Sequence, residues 1–484
     1  MPRPWNLDTL KEWDDRIRQV VDSFGLNCFP QEFEICDQNQ MLGYMAYSGM
    51  PAHYPHWSYG KSYEKLKTLY EYGVSGLPYE MVINSNPSLA YLMRDNSLCL
   101  QILTIAHVYG HNDFFANNFT FQDTRPELTI SNMKVRADRL RDYIEDPSIG
   151  LRKIETILDA AHALSLNCRR HRAIRKLTEL QQRERALADL EPPHDPYAHL
   201  HPPRPREEPD LNRVPLEPEE DLLLFIRDHN PYLSDWEQDV LTIVHEQAQY
   251  FLPQIETKIM NEGWASYWHH RILNALELPQ DLHLEFIVLH NQVIRPHPGG
   301  LNPYHLGFRI FEEIVRRQDE GAPRDDDRET DATRKTGDEL IFDVREVDRD
   351  ASFIRRFLDE DMMRELDMFE HEAEGEDRVI SRVSDPDNWE QIKQTLLRNI
   401  GMASTPVIRI TDADYAHNRE LMLSHGHDGR DLDLEYAEKT MAYMHQLWGR
   451  TVHMETVVDE KPVVLTYTED GLKAQAGGDG ESED

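Results

Sequence analysis

The spacing of apolar residues changes near residue 338, and this change constrains the fold of the 484-residue chain more than any other feature. Before residue 317, apolar residues recur at helical intervals, as in segment 8–24. After residue 338, short runs such as TPVIRITD and KPVVLTYT are typical of strands and flank two helical segments. Residues 79–93 are predicted to form a strand, a turn and a helix. The sequence therefore predicts an α+β protein, mainly α.

The composition of each segment places the predicted domain boundaries. Residues 1–317 form the predicted helical domain, and residues 339–470 form a smaller α+β domain. Residues 318–338 are polar and charged, which predicts a mobile loop. Residues 191–218 contain 9 of the 28 prolines, which predicts an extended linker or arm because proline cannot continue a helix. The acidic end, residues 471–484, is predicted to be disordered.

The net charge of −36 restricts the partners of the chain. Such an acidic surface repels phosphate backbones, so we expect no nucleic-acid binding. No apolar run approaches the ~18 residues of a membrane helix, and the start lacks the apolar core of a signal peptide. We therefore expect a cytoplasmic protein without membrane insertion. Excess acid with little lysine suggests a salt-adapted, halophile-like composition, and the four cysteines suit reduced core residues.

Two histidines, His107 and His111, lie four residues apart in the apolar segment TIAHVYGHNDFF. On a helix, residues four apart diverge by only ~40° around the axis, so both imidazoles can reach one metal ion. The spacing equals that of the zinc-protease motif H-E-x-x-H, but Val108 stands where that motif has its catalytic glutamate. Two core or surface histidines would produce the same spacing, so the pair alone leaves the site open.

Two further polar stripes lie on predicted helices. Glu155, Asp159 and His162 share one face of RKIETILDAAHALSLNC, which favours a solvated flank but also resembles the E-x-x-H ligands of dimetal bundles. Glu262 and His269 share one face of IMNEGWASYWHHRIL. The string NEGWASY resembles the N-E-G-[FW]-A-x-Y string of gluzincin-type aminopeptidases, whose glutamate is the third zinc ligand. In that family the glutamate lies much closer to the histidines.

Together the stripes predict a metal site on zincin-like helices. Two histidines and one glutamate, His107, His111 and Glu262, make an open set of three ligands that leaves a position for water or substrate. Zinc suits this single site, and iron or manganese suits a pair of ions. Other residues could orient the ligands or hold a second ion, and these are Glu155, Asp159, His162 and His269.

Six strings resemble, in order along the chain, the stage V sporulation protein R (SpoVR) family: PHWSYGKSYEKLK, YEMVINSNPSLAYLM, AHVYGHNDFFANN, LDAAHAL, MNEGWASYWHHRILN and NPYHLGFRIFEEI. The resemblance covers residues 8–470. It implies a metal site, because His107, His111 and Glu262 match the family's HVxGH and NEGWA motifs. It also implies a role in spore cortex formation during sporulation, or in stationary-phase and stress physiology. The implied protein partners are a PrkA-type kinase-like AAA protein and a von Willebrand-type domain protein.

Three functions remain open. The first is a metal-dependent hydrolase in which Asp159 is the general base, with Glu155 or Asp113 as alternatives, and Tyr267 polarises a carbonyl oxygen. The second is a non-catalytic scaffold that holds a structural metal and binds the two implied partners. Val108 favours this scaffold, whereas the open ligand set favours the hydrolase. The third is a dimetal oxidase-like bundle built on the stripe from Glu155 to His162.

Overall fold

The protein is described by a computed structural model that covers most of the chain. The described residues are 4–72, 78–170, 175–188, 210–296, 300–321, 335–366, 368, 371–374, 377–380 and 388–476. The fold is mostly helical with a five-stranded sheet near the C-terminus, which confirms the predicted α+β, mainly α class. Among the described residues, no helix combines the length and apolarity that crossing a membrane requires.

The helices are, in chain order, α1 (Leu7–Ser23), α2 (Gln38–Ala46), α3 (Trp57–Glu71), α4 (Leu98–Asn117), α5 (Thr129–Glu145), α6 (Leu151–Leu164), α7 (Glu179–Ala188), α8 (Leu222–His229), α9 (Asp235–Glu256), α10 (Lys258–Ala275), α11 (Gln280–Val293), α12 (Pro303–Glu320), α13 (Gly337–Val347), α14 (Asp350–Phe357), α15 (Glu360–Glu365), α16 (Asn388–Asn399) and α17 (Leu434–Trp448). The strands are β1 (Gln31–Cys36), β2 (Glu80–Ile83), β3 (Ser88–Met93), β4 (His371–Glu374), β5 (Asp377–Ile380), β6 (Ile408–Tyr415), β7 (Glu420–His425), β8 (Val452–Val458), β9 (Lys461–Thr468) and β10 (Gly471–Ala476).

The chain divides into two compact units. Unit 1 comprises Met1–Arg141 and Gln249–Ser404, and unit 2 comprises Asp142–Ala248 and Thr405–Asp484. These units differ from the predicted domains, because α13 and α14 belong to unit 1. Apolar side chains of these helices complete its core, as where the Phe311 and Phe353 rings lie 4.8 Å apart. Most of the predicted loop 318–338 and most of the arm 191–218 lie outside the described residues.

Unit 1 contains a three-stranded sheet in which β3 is the central strand. It pairs in parallel with β1 and antiparallel with β2. The prediction of a helix in the second half of residues 79–93 was wrong, because this half forms β3. Its run SLAYLM is short and almost wholly buried, as expected for a strand with neighbours on both sides, and apolar periodicity alone cannot distinguish such a run from a buried helix.

The α4 helix lies at the centre of unit 1. Of its 20 residues, 17 are buried, and it packs against α1, α10, α11 and α13. A helix that is buried on every side has no solvated face for its polar residues. Each polar side chain on α4 must therefore find a partner inside the protein.

Unit 2 is built on a five-stranded sheet with the order β10-β9-β8-β7-β6, in which only β7 and β8 run in parallel. The α17 helix packs on this sheet, and α6 packs on α17. The strands predicted from TPVIRITD and KPVVLTYT are confirmed as β6 and β9. The expectation that residues 471–484 are disordered was wrong for Gly471–Ala476, because these residues pair with β9 as an added edge strand.

Candidate metal centre

Close contacts between backbones bring α4, α10 and α12 together. A Cβ atom added at Gly110 would lie 2.6 Å from Cα of Ala265, and one added at Gly263 would lie 2.4 Å from Cα of Gly307. Only glycine permits such an approach between helices. The glycines within the HVYGH, NEGWA and NPYHLGF strings therefore hold the histidines of α4 against the glutamate of α10.

Four side chains converge where these helices meet β2. Nε2 of His111 lies 3.4 Å from Oε2 of Glu262, and Nε2 of His107 lies 3.8 Å from the same oxygen. Glu80, the first residue of β2, places Oε1 3.9 Å from Nε2 of His107. Ligand atoms of Glu80 and both histidines all lie within 4.8 Å of one another. Two imidazoles and two carboxylates thus face one small volume.

These separations suit a metal ion better than direct hydrogen bonds. All three separations between nitrogen and carboxylate oxygen exceed the ~3.2 Å limit of a good N–H···O bond. Nε2 of His107 and Oε2 of Glu262 are buried and have no hydrogen-bond partner among the described residues. Tetrahedral zinc sites with bonds of ~2.0–2.2 Å keep neighbouring ligand atoms roughly 3.4 Å apart. The residues present therefore fit a divalent cation such as zinc.

Electrostatics in the cluster favour added positive charge. Burial alone would raise the pKa of Glu262, but His107 and His111 outweigh it and hold this pKa well below its ordinary value. Burial lowers the pKa of His111, whereas Glu262 raises it above the ordinary value. Burial raises the pKa of Glu80. The Glu262 carboxylate is thus stabilised by the neighbouring histidines, whereas burial disfavours the charge on Glu80, and a bound cation would stabilise both carboxylates.

The second ring nitrogen of each histidine has a partner on α10. Nδ1 of His111 lies 2.8 Å from Oδ1 of Asn261, and Nδ1 of His107 lies 2.9 Å from Nδ1 of His269. Nε2 of His269 in turn lies 2.8 Å from Nδ1 of His290 on α11. Burial and the neighbouring histidines lower the pKa of His269 well below its ordinary value, so its ring is neutral. Such partners fix the orientation of ligating histidines.

A cleft of about 730 Å³ opens at the cluster. Its wall includes Glu80, His111, Glu262 and Tyr304. Glu262 and burial raise the pKa of Tyr304, so its hydroxyl stays protonated beside the carboxylate. The remaining wall is largely apolar, with contributions from Val82, Phe115, Phe251, Ile255, Ile259, Leu301 and Ile400. The cluster is therefore within reach of a ligand that enters the cleft.

The predicted site residues separate into two groups. His107, His111, Glu262 and His269 come together, as described above. The predicted general base Asp159 lies on α6 in unit 2 and is not among the residues that line the cleft. The same holds for two other residues of that stripe, Glu155 and His162.

Two other predicted residues of unit 1 are engaged elsewhere. Tyr267 places its hydroxyl 3.1 Å from Nη1 of Arg271, beside Asp338, and does not line the cleft. Asp113 is fully buried, forms an ion pair with Arg345 at 2.9 Å and accepts a hydrogen bond from Nε1 of Trp264. Asp113 thus holds α4 against its neighbours and does not face the two histidines through its carboxylate.

Four residues of the centre were absent from the sequence predictions: Glu80, Asn261, His290 and Tyr304. Glu80 had a detectable signal, because a carboxylate at the start of the apolar string EMVI needs a partner. Asn261 precedes Glu262 in the NEGWA string, and Tyr304 lies in NPYHLGF. For His290 the sequence offered no signal, since its partner lies 21 residues away on another helix.

Comparisons with known proteins agree with this architecture. Residues 4–405 match the family model described as SpoVR like protein, and residues 406–459 match the SpoVR-like C-terminal domain. The uncharacterized protein YcgB of Escherichia coli (strain K12) is 32% identical over 489 residues, a match that covers 95% of this chain and 94% of that protein. No solved structure matches. The chain belongs to the SpoVR family.

Proposed function

We propose that the protein binds one divalent metal ion through His107, His111 and Glu262 and uses it in a hydrolytic reaction. One observation carries the proposal: buried ligand atoms without hydrogen-bond partners converge at the wall of an accessible cleft. Two histidines from one helix and a glutamate from another constitute a zincin-like ligand set. Imidazole and carboxylate suit zinc, with iron or manganese as alternatives.

The chain supplies groups for acid–base chemistry beside these ligands. When bound, a divalent metal supplies Lewis acidity that polarises a carbonyl group and activates water. Glu80 can accept a proton at Oε1 and so act as the general base. Val108, which stands at the usual position of this base, cannot fill the role. The Tyr304 hydroxyl can donate a hydrogen bond to a substrate oxygen. In this proposal Glu80 and Tyr304 replace Asp159 and Tyr267, the two residues to which the sequence assigned these roles.

The cleft indicates the general character of the substrate. Its apolar wall suits a substrate with an apolar body, and the exposed Lys258 is the only cationic side chain among the described residues that line it. Lys258 lies one helical turn before Glu262 on α10, so both residues share a face. An amide or ester with an anionic group fits these features. We propose sporulation, or stationary-phase and stress physiology, as the setting because of the family membership.

A second candidate function is a non-catalytic scaffold with a structural metal. Glu80 favours it, because this residue could close a set of four protein ligands with His107, His111 and Glu262, as in structural zinc sites. Such a protein would act by binding partners, for which a PrkA-type kinase-like protein and a von Willebrand-type domain protein are the candidates. The dimetal alternative lacks support, since no second cluster of potential ligands occurs within the described ranges.

Elemental analysis of the purified protein tests the metal site. We expect about one zinc, iron or manganese ion per chain in the wild type, and loss of this ion in the His107→Ala and Glu262→Ala variants. The His162→Ala variant is the matched control, because it removes a helical histidine from α6 and should keep the ion. Metal retained by both site variants would contradict the proposal.

A Glu80→Gln variant separates the enzyme from the scaffold. Glutamine keeps the size of the side chain but cannot accept a proton as a carboxylate does. If Glu80 is a base, the variant keeps its metal and loses hydrolysis of a panel of anionic amides and esters. If Glu80 is a fourth ligand, the metal affinity falls. A variant with wild-type metal content and wild-type hydrolysis would exclude both roles for Glu80.

A further inference from the structure

We propose that a directional chain of three histidines, from His290 through His269 to His107, sets which ring nitrogen of His107 faces the metal position. The inference rests on the proposed metal site and deepens it. His269 and His290 are positioning residues, because neither lines the cleft and each acts through its neighbour. Substitutions at these two residues should therefore change the metal affinity, although neither side chain contacts a substrate.

The three rings form one continuous set of hydrogen bonds. Nδ1 of His107 lies 2.9 Å from Nδ1 of His269, and Nε2 of His269 lies 2.8 Å from Nδ1 of His290. All three residues are buried, and His269 has no exposed surface. Both nitrogens of His269 are thus used, one toward α4 and the other toward α11.

A neutral imidazole has one N–H donor and one acceptor nitrogen, so a chain of neutral rings must run in one direction. If Nδ1 of His107 donates, Nδ1 of His269 accepts, Nε2 of His269 donates, and Nδ1 of His290 accepts. This direction leaves Nε2 of His107 with a free lone pair. That lone pair faces Glu262 and Glu80, where a metal ion would lie.

The opposite direction would place a hydrogen atom on Nε2 of His107. Its nearest carboxylate oxygens, on Glu262 and Glu80, lie 3.8 and 3.9 Å away, which is too far for a hydrogen bond. The buried Nε2 atom has no other partner among the described residues. The opposite direction would therefore leave a buried donor unsatisfied, which disfavours it.

The other histidine of the pair shows the same arrangement with a simpler partner. Oδ1 of Asn261 can only accept, so Nδ1 of His111 must donate, and the neutral ring of His111 then has its lone pair on Nε2. The amide oxygen of Asn261 thus fixes which nitrogen of His111 carries the hydrogen. His269 and His290 together do the same for His107. Both ligands present Nε2 to the same volume because α10 supplies the acceptor for each Nδ1–H group.

A pair of similar-sized substitutions at His269 tests the inference. The Oδ1 atom of asparagine can take the place of Nδ1 and accept the hydrogen bond from His107, whereas leucine of similar size cannot. In zinc competition titrations with a chelator, we expect His269→Leu to weaken binding roughly 10–100-fold. His269→Asn should keep most of the wild-type affinity. The visible spectrum of the cobalt-substituted protein should change in the leucine variant only.

The same pair of substitutions at His290 extends the test. His290→Asn keeps an acceptor for Nε2–H of His269, and His290→Leu removes it, so the leucine variant should bind zinc more weakly than the asparagine variant. This pair decides the matter if His269→Leu does not fold. If the leucine and asparagine variants bind zinc equally well at both positions, this inference is overturned and the proposed metal site is not. A wild-type protein that binds no zinc would overturn the proposed metal site and this inference with it.

Discussion

The helices α4 and α6 each carry polar residues at helical spacing, yet the structure uses them differently. On α4, His107 and His111 are buried and converge with side chains from β2 and α10. On α6, Glu155 and Asp159 are half-buried at the flank of an apolar stripe that packs within unit 2. The spacing of polar residues is similar in the two helices, and the burial of these residues is what distinguishes α4 from α6.

The difference lies in the other faces of each helix. The α6 helix is amphipathic, so its flanking polar residues can reach solvent. The α4 helix has no solvated face, and its polar residues must be paired inside the protein or reserved for a ligand. A polar residue in a helix that is apolar on every side is therefore a stronger indication of a site than a polar stripe beside a core.

The largest effect is expected from breaking the buried ion pair that Asp113 of α4 forms with Arg345. Asp113→Ala should destabilise the protein by about 3–5 kcal/mol, because it leaves the buried guanidinium of Arg345 without its carboxylate. On α6, Glu155→Ala should change stability by less than about 0.5 kcal/mol. Urea denaturation of both variants measures the two effects. Similar losses of stability in the two variants would show that the contrast between the helices is wrong.

A smaller effect is expected at the contact between α4 and α10. Gly110→Ala places a Cβ atom against the backbone of Ala265 and should cost about 1–3 kcal/mol, together with some loss of metal affinity. The control is Gly60→Ala on α3, where no atom lies within 4 Å of the added Cβ and alanine favours the helix. Its stability should stay the same or rise slightly. If both variants unfold at the same denaturant concentration, the close approach of the helices does not matter.

The effect that is smallest at neutral pH concerns acid, and it grows only as the pH falls. Burial and the neighbouring His270 and His107 lower the pKa of His290 to about 3, below its ordinary value of 6.5. The stability that the neutral ring contributes is present above about pH 6.5 and is lost as the pH falls toward 3. His290→Asn removes this proton uptake, so between pH 6 and 4 its stability should fall less steeply than that of the wild type, by up to about 1.4 kcal/mol per pH unit. Parallel curves of unfolding free energy against pH would contradict this assignment.

Part of this architecture could be predicted from the sequence. The α4 and α10 helices, the strands β6 and β9 of unit 2 and the family followed from local periodicity and from strings such as HVYGH and NEGWA. The convergence of His107 and His111 with Glu262 was predicted from one helical face and one string resemblance. The structure brings the three residues together, while the presence of the metal itself remains a proposal.

The remainder depended on contacts that local patterns do not encode. The single run SLAYLM was consistent with a helix or a strand until its neighbours β1 and β2 were known. The assignment of α13 and α14 to unit 1 depends on long-range core packing. Glu80 reaches the centre through the pairing of β2 with β3, and His290 through the packing of α11.

A crystal structure of the zinc-loaded protein, with anomalous data collected at the zinc edge, tests the central claim most directly. We predict one strong anomalous peak in unit 1, at about 2.0–2.2 Å from Nε2 of His107, Nε2 of His111 and a carboxylate oxygen of Glu262. The distance from this peak to Glu80 would also show whether Glu80 is a ligand. Absence of a peak at these three residues, or a peak on the α6 stripe instead, would contradict the account.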